Sequence, residues 1–322
     1  LWAQPSRLVP VVAQHQQVLG AVLGQAATSA TAAADALDLV DFDQLTIVDG
    51  RIDIDAVAIL ERPLTDLAAA VTDLYEALRD ADSPWLLDSV AQRLDRYLQR
   101  ADDTRRQAAT IREAAAVGPS LLGSDGPRRY FVGFATPAEA RGLVGVMGNY
   151  AILTIDDGLI TRTDFGRIND VRNRLADAGP VQLDASAEFR DRYATYGLGD
   201  GVQPADSADD PTNPSFWSNV TMTPDMPTAA ALIGQLWELS GGDPVDGVII
   251  VDPAAIAGLL QATGPITVDG LDTPLTATTV QPFLLLDQYA LDTPERRDLL
   301  EAVADATLDA LLGGALPPPQ RL

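Results

Sequence analysis

The most pointed chemistry in this sequence rests on a few arginines and the acids beside them. Glu139 and Arg141 stand two residues apart, just after a short apolar run. A guanidinium is a planar fork that matches phosphate or carboxylate, and a nearby glutamate can orient it. The same two side chains could equally form a structural ion pair that pins a loop, and both readings stand at this stage. Arg296 and Arg297 follow Thr293-Pro294-Glu295, which places them in the first turn of a helix. A cation is unfavourable there, beside the positive end of the helix dipole. An anionic partner would relieve the misfit, and so would salt bridges to Asp292 or Glu295. Asn149 is a candidate hydrogen-bonding group near Gly145 and Gly148, where backbone can approach a ligand or a neighbouring strand closely. Asn219 lies on an exposed-looking segment ahead of Asp225, which reads first as a helix cap and second as a ligand contact. Asn219-Val220-Thr221 also has the form of a glycosylation sequon.

Composition removes several classes of function. The chain has 322 residues and a net charge of −24, so nucleic acid and anionic lipid surfaces are repelled. An anionic ligand needs a local arginine cluster or a bridging divalent cation. Cysteine is absent, which removes thiol catalysis, disulfides and cysteine-held zinc together. His15 is the single histidine, in the polar stretch Gln14 to Gln17, and a histidine-based triad or metal site has nothing to build on. The chain begins Leu1-Trp2, and Leu8 to Val12 is too short to span a bilayer, which takes about 20 residues. An anchor trimmed from the N-terminus is the expectation, and Pro317-Pro318-Pro319 reads as an extended linker or a cut.

The elements that would position these residues fall into two groups. Val57, Leu60, Leu64, Leu67, Val71, Leu74 and Leu78 repeat at spacings of three and four, which predicts one amphipathic helix. Ser83-Pro84 starts a second, with its stripe through Leu87, Leu94, Tyr97, Ala108 and Ile111, ending near Gly118-Pro119. The Ala-rich stretch from Val11 to Leu39 supplies a third, and Asp49-Gly50 marks a tight turn between short β-prone runs. Residues 1–122 therefore read as a helical hairpin or three-helix bundle.

From 123 to 322 strands and helices alternate. Tyr130 to Phe134 is a strand; Tyr150 to Ile155 and Leu159 to Thr163 form a hairpin about Asp157-Gly158. Helices are predicted over Arg167 to Ala178, Ser186 to Tyr196, Met226 to Leu239 and Thr293 to Leu312. Another starts at the Asp252-Pro253 cap and stops at Gly264-Pro265. Gly197 to Ser218 is acidic and predicts a long surface loop. Gly247 to Val251 is continuously apolar, the pattern of a buried parallel strand, and Ile266 to Val268 predicts a further strand. The fold class is α/β: three layers, a mixed or mostly parallel sheet flanked by helices, preceded by the all-α region.

Several segments in order carry a family resemblance. They are Gly126 to Tyr130, Ala138-Glu139-Ala140-Arg141, Gly148-Asn149-Tyr150 and Asp157-Gly158. Further on come Asn219-Val220-Thr221, Thr223 to Thr228, Val245 to Val251 with Asp252-Pro253, and Gln261 to Pro265. Together they resemble the actinobacterial domain of unknown function 4012 family over nearly the whole chain, including Asp49 to Asp53. The resemblance implies a membrane-anchored protein facing outward and no established activity. The second half also resembles, more distantly, the LytR-CpsA-Psr family, which transfers glycopolymers from polyprenyl-pyrophosphate lipids to the cell wall. Arg162-Thr163-Asp164 is similar to that family's Arg-Asp motif with one residue inserted, and Asp292 with Arg296 and Arg297 is similar to the pattern opening its last helix. That likeness implies Mg²⁺, with Asp164 a weak ligand candidate. Gly148-Asn149-Tyr150 stands where the family has Arg-Ser-Asp, and Leu286-Asp287-Gln288 lacks its arginine pair.

Two functional expectations result. One is an extracytoplasmic envelope protein, associated with membrane or wall, that binds or scaffolds glycopolymer or a partner protein without complete catalytic machinery. The other is a divergent Mg²⁺-dependent transferase or pyrophosphatase acting on a polyprenyl-linked substrate.

Overall fold

The computed structural model describes residues 20, 23–35, 47–82, 86–177, 183–193 and 216–313. By contact the chain divides into two units: Leu1–Leu45 with Asp53–Leu121, and Thr46–Ile52 with Leu122–Leu322. His15, Ser83-Pro84 and most of the acidic stretch after Gly197 lie outside the described residues.

The first unit is helical, as the three-and-four spacing predicts. Helix α1 (23–35) is followed by α2 (Ile54–Ile59), α3 (Glu61–Asp80) and α4 (Asp88–Leu121). The α3 stripe meets α4 in a core of Leu78, Ala81, Leu86, Leu94 and Ala101. Ser29 of α1 donates its hydroxyl to the Ala70 carbonyl at 2.7 Å, so a buried polar group is satisfied on α3. Helix α4 does not stop at Gly118-Pro119 but runs to Leu121 with Pro119 inside it. A proline this close to the end costs the helix one hydrogen bond rather than an interior turn.

The second unit is a mixed four-stranded sheet in the order β3-β2-β1-β4, with β1 at Arg128–Thr136, β2 at Val146–Asp156, β3 at Leu159–Arg167 and β4 at Gly247–Val251. Strands β1, β2 and β3 pair antiparallel, and β4 joins β1 in parallel, Tyr130 beside Gly247 through Phe134 beside Val251. The β2–β3 hairpin turns on Asp157 and Gly158, both with positive φ (47° and 75°), the arrangement whose twist matches the flanking strands. A second such turn at Asp49-Gly50 lies against it: Ile52 N–H donates to the Gly158 carbonyl and Ile160 N–H to that of Gly50. The two Asp-Gly signals thus meet in space.

One sheet face carries Phe131, Tyr150 and Ile152 under α5 (Ile168–Asp177), α6 (Ala187–Tyr193), α7 (Phe216–Asn219) and α8 (Met226–Leu239). The other carries Val132, Ala151, Leu153 and Ile160, with Leu308 packed on them. It is covered by α9 (Pro253–Thr263), α10 (Val280–Leu285) and α11 (Thr293–Gly313). Helices on both faces of a sheet make the three layers read from the alternating pattern.

Three details differ from the sequence reading. Strand β4 is parallel but lies at the sheet edge, with Ile249 45 % exposed, because a continuous apolar run does not distinguish an edge from an interior. Ile266 to Val268 forms no strand; a single bridge joins Ile266 to Leu275, since Pro265 brings no N–H and the chain turns again at Asp269-Gly270. Trp217, assigned to the tail of the acidic loop, is fully buried on α7. No helix among the described residues is long and apolar enough to cross a membrane.

Candidate functional site

The loop between β1 and β2 holds Glu139 and Arg141, and the structure uses both as a latch. Arg141 donates from Nε to the Ser218 carbonyl (3.1 Å), from Nη1 to that of Ala140 (3.0 Å) and from Nη2 to Glu139 (3.4 Å). Its side chain is only 17 % exposed. Leu143 N–H then bonds the Thr221 carbonyl, and the buried Thr221 hydroxyl donates to the Gly145 carbonyl at 2.6 Å. Two motifs that stand about eighty residues apart are therefore laced together. Asn219 sits where α7 passes into the one-turn helix Val220–Met222. Asp225 caps α8 by accepting the Thr228 N–H at 2.9 Å, and the Thr228 hydroxyl first, then that N–H, lower its carboxyl pKa. The cap reading of Asp225 is the one the geometry expresses, and the Glu139–Arg141 pair has the geometry of the pinning ion pair.

Arg162 and Asp164 do not share a site. Residues two apart on a strand normally face one side, but β3 bulges here: Ile152 pairs with Asp164 and Leu153 with Arg162, leaving Thr163 as the extra residue. Arg162 therefore turns to the second face, where it is bonded to Asp305, lies 3.4 Å from Asp309 and covers the Phe165 ring. Further along, Arg167 holds Asp298 and Glu301, so β3 grips α11 twice. Arg296 stacks over Tyr289 with its guanidinium carbon 5.1 Å from the ring centroid, and Arg297 beside it is exposed.

Asp164 turns to the first face and borders a cleft of about 740 Å³. Tyr150 donates its hydroxyl to Asp164 at 3.0 Å, and Arg174 from α5 reaches that hydroxyl at 3.5 Å while lying over the Trp237 ring. Trp237 is itself fixed by donating its ring N–H to the Asp243 carbonyl at 2.9 Å. Thr154 and Thr163 add hydroxyls, and Arg129, Asp243 and Asp246 complete the charged rim. Asp243 lies 3.6 Å from Arg129, and Asp246 is held by the Arg129 backbone N–H and the Arg128 side chain. The backbone N–H first, and then Arg128, pull the Asp246 carboxyl below its ordinary value. Of the charged groups lining the cleft, Asp164 and Arg174 form no ion pair among the described residues.

Burial pushes the Tyr150 phenol above its ordinary value, and the charge of Asp164 adds to the effect. The folded chain then holds this proton more tightly than the unfolded chain does. The linked stability is complete below about pH 10 and is lost as pH rises through the folded pKa. Urea melts across the alkaline range should show a steeper loss in the wild type than in Tyr150→Phe, which has no proton to release. Equal slopes would mean that Tyr150 is not buried as described.

Asn149 lies on the opposite face, 7 % exposed, with its Nδ2 unpartnered among the described residues. It borders an apolar crevice of about 70 Å³ with Phe134, Val251, Ile256 and Val303. That volume matches about two water molecules, which could satisfy the amide, and is too small for a saccharide. Thus Asp164 is the one predicted residue in the larger cleft. Tyr150, Arg174 and Trp237 were missed as its partners because they come from three separate elements. No local spacing links them; the only signal was the quoted Gly148-Asn149-Tyr150 segment.

A family model described as protein of unknown function (DUF4012) matches residues 125–289. The chain belongs to this family. The DUF4012 match takes in all four strands and every residue lining the cleft. It stops short of α11, so Arg296 and Arg297 lie beyond it, as do Asp49 to Asp53 and the helical unit. No match was found among curated proteins or solved structures.

Proposed function

We propose that the α/β unit binds an envelope glycopolymer in the Asp164–Arg174 cleft and performs no chemistry on it. The supporting observation is the lining, which combines threonine hydroxyls, carboxylates and guanidinium groups with Trp237. A polyhydroxylated chain presents donors and acceptors at similar spacing, and each group desolvated on binding needs a partner. The extracytoplasmic, membrane-anchored setting is part of the same proposal and derives from the resemblance set out above.

The transferase reading needs arginines facing a pyrophosphate. Arg141, Arg162 and Arg296 are each engaged elsewhere, and the cleft sets three carboxylates against two arginines. Asp164 accepts from Tyr150, and among the described residues no three acidic or histidine side chains converge.

Calorimetric titration with purified cell-wall polysaccharide tests the proposal. Arg174→Ala should weaken binding about tenfold, roughly 1.4 kcal/mol, while the melting temperature holds. Failure to bind any envelope polysaccharide, or equal binding by the variant, would sink the reading. So would Mg²⁺-dependent release of phosphate from a polyprenyl pyrophosphate, which would restore the transferase.

A further inference from the structure

The described residues of the helical unit leave a groove that they do not fill. It measures about 650 Å³ and runs between α1, α3 and α4, with Leu23, Leu74, Val90 and Tyr97 among its walls. Leu23 and Tyr97 are largely exposed at its edge. The volume falls in the range of small-molecule sites rather than of a flat protein interface.

Its charges are the informative part. In a chain with 46 acidic and 22 basic side chains, no carboxylate lines this groove among the described residues, while Arg93 and Arg100 both do. They are seven residues apart on α4, two turns and about 10 Å along one face. Further along the same helix Arg105, Arg106 and Arg112 pair with acids of α4 itself. Arg93 and Arg100 form no ion pair among the described residues. An apolar trough with two free cations on its rim and no competing acid complements one kind of molecule: an apolar tail carrying a negative head.

We propose that the helical unit binds a single acyl chain with an acidic head group, the tail in the groove and the head between Arg93 and Arg100. Hydrophobic burial holds the tail and desolvated charge–charge contacts select the head. This site is independent of the saccharide cleft.

Titration calorimetry on the full chain tests it, with dodecanoate, dodecanol and dodecyltrimethylammonium as probes of equal tail length. Dodecanoate should bind at one per chain and about tenfold or more tighter than the cation. The Arg93→Gln, Arg100→Gln double variant should lose that preference while keeping its helical circular dichroism. Ala26→Trp, which fills the trough without touching the rim, should abolish binding of acid and alcohol alike. Equal affinity for acid and cation, or a preference that survives the double variant, would overturn the proposal. So would a reversible dimer abolished by Tyr97→Asp, since a second copy would then cover the groove.

Discussion

Replacing Trp217 by alanine is expected to cost about 3–5 kcal/mol, a third or more of the stability of an ordinary domain. The indole is fully buried and stacks on Phe131 at 5.6 Å between ring centroids, with the planes 22° apart. Phe131 in turn touches the rings of Tyr150 and Trp237, so one truncation loosens an aromatic cluster beneath the cleft. The surrounding strand and helices cannot close the void without moving the sheet. Trp217→Phe should recover much of the loss, because the stack on Phe131 survives. Urea denaturation followed by fluorescence reads both variants. A cost below about 1 kcal/mol for the alanine would show that the segment at Trp217 is not part of the core.

Gly145→Ala should be nearly as damaging for a different reason. Gly145 has φ of 141°, and a Cβ there would stand 1.9 Å from the Thr136 carbonyl oxygen and 2.8 Å from the Pro137 nitrogen. Neither neighbour is a flexible side-chain tip, so the backbone must shift, at roughly 3 kcal/mol or more. The shift also pulls the Gly145 carbonyl from the Thr221 hydroxyl and opens the latch around Arg141. Hydrogen exchange at the Leu143 amide, which bonds Thr221, should quicken together with the fall in melting temperature. Gly148→Ala is the control: a Cβ there meets open space, and the change should stay within about 0.5 kcal/mol. Equal effects at the two glycines would refute the steric argument.

What could be read from the sequence was what is local. Asp157-Gly158 announced its hairpin because only a tight turn with two left-handed residues joins such strands. Asp225 and Asp252 announced their helices because each cap bonds an N–H three residues on. Apart from the strand expected at Ile266 to Val268, the misreadings were non-local. Trp217 ends a polar stretch, and nothing near it reveals that Phe131, eighty-six positions earlier, comes to lie beneath it. Arg162 and Asp164 were paired through a resemblance to a family motif, and a bulge visible only against β2 sets them on opposite faces. The cleft escaped notice for the same reason: Tyr150, Asp164 and Arg174 become neighbours only once β2, β3 and α5 are assembled.

The pairing of β1 with β4 has a consequence in time as well as in space. Arg129 meets Asp246 from 117 positions away along the chain, whereas the β2–β3 hairpin closes through a two-residue turn. Long closures are entropically costly and late, while short ones form in microseconds. During synthesis the three antiparallel strands can assemble while β4 has yet to emerge. In that interval β1 is an open rim able to recruit any extended strand, including one from a neighbouring nascent chain. Pairing with Gly247–Val251 is what closes that rim in the folded chain.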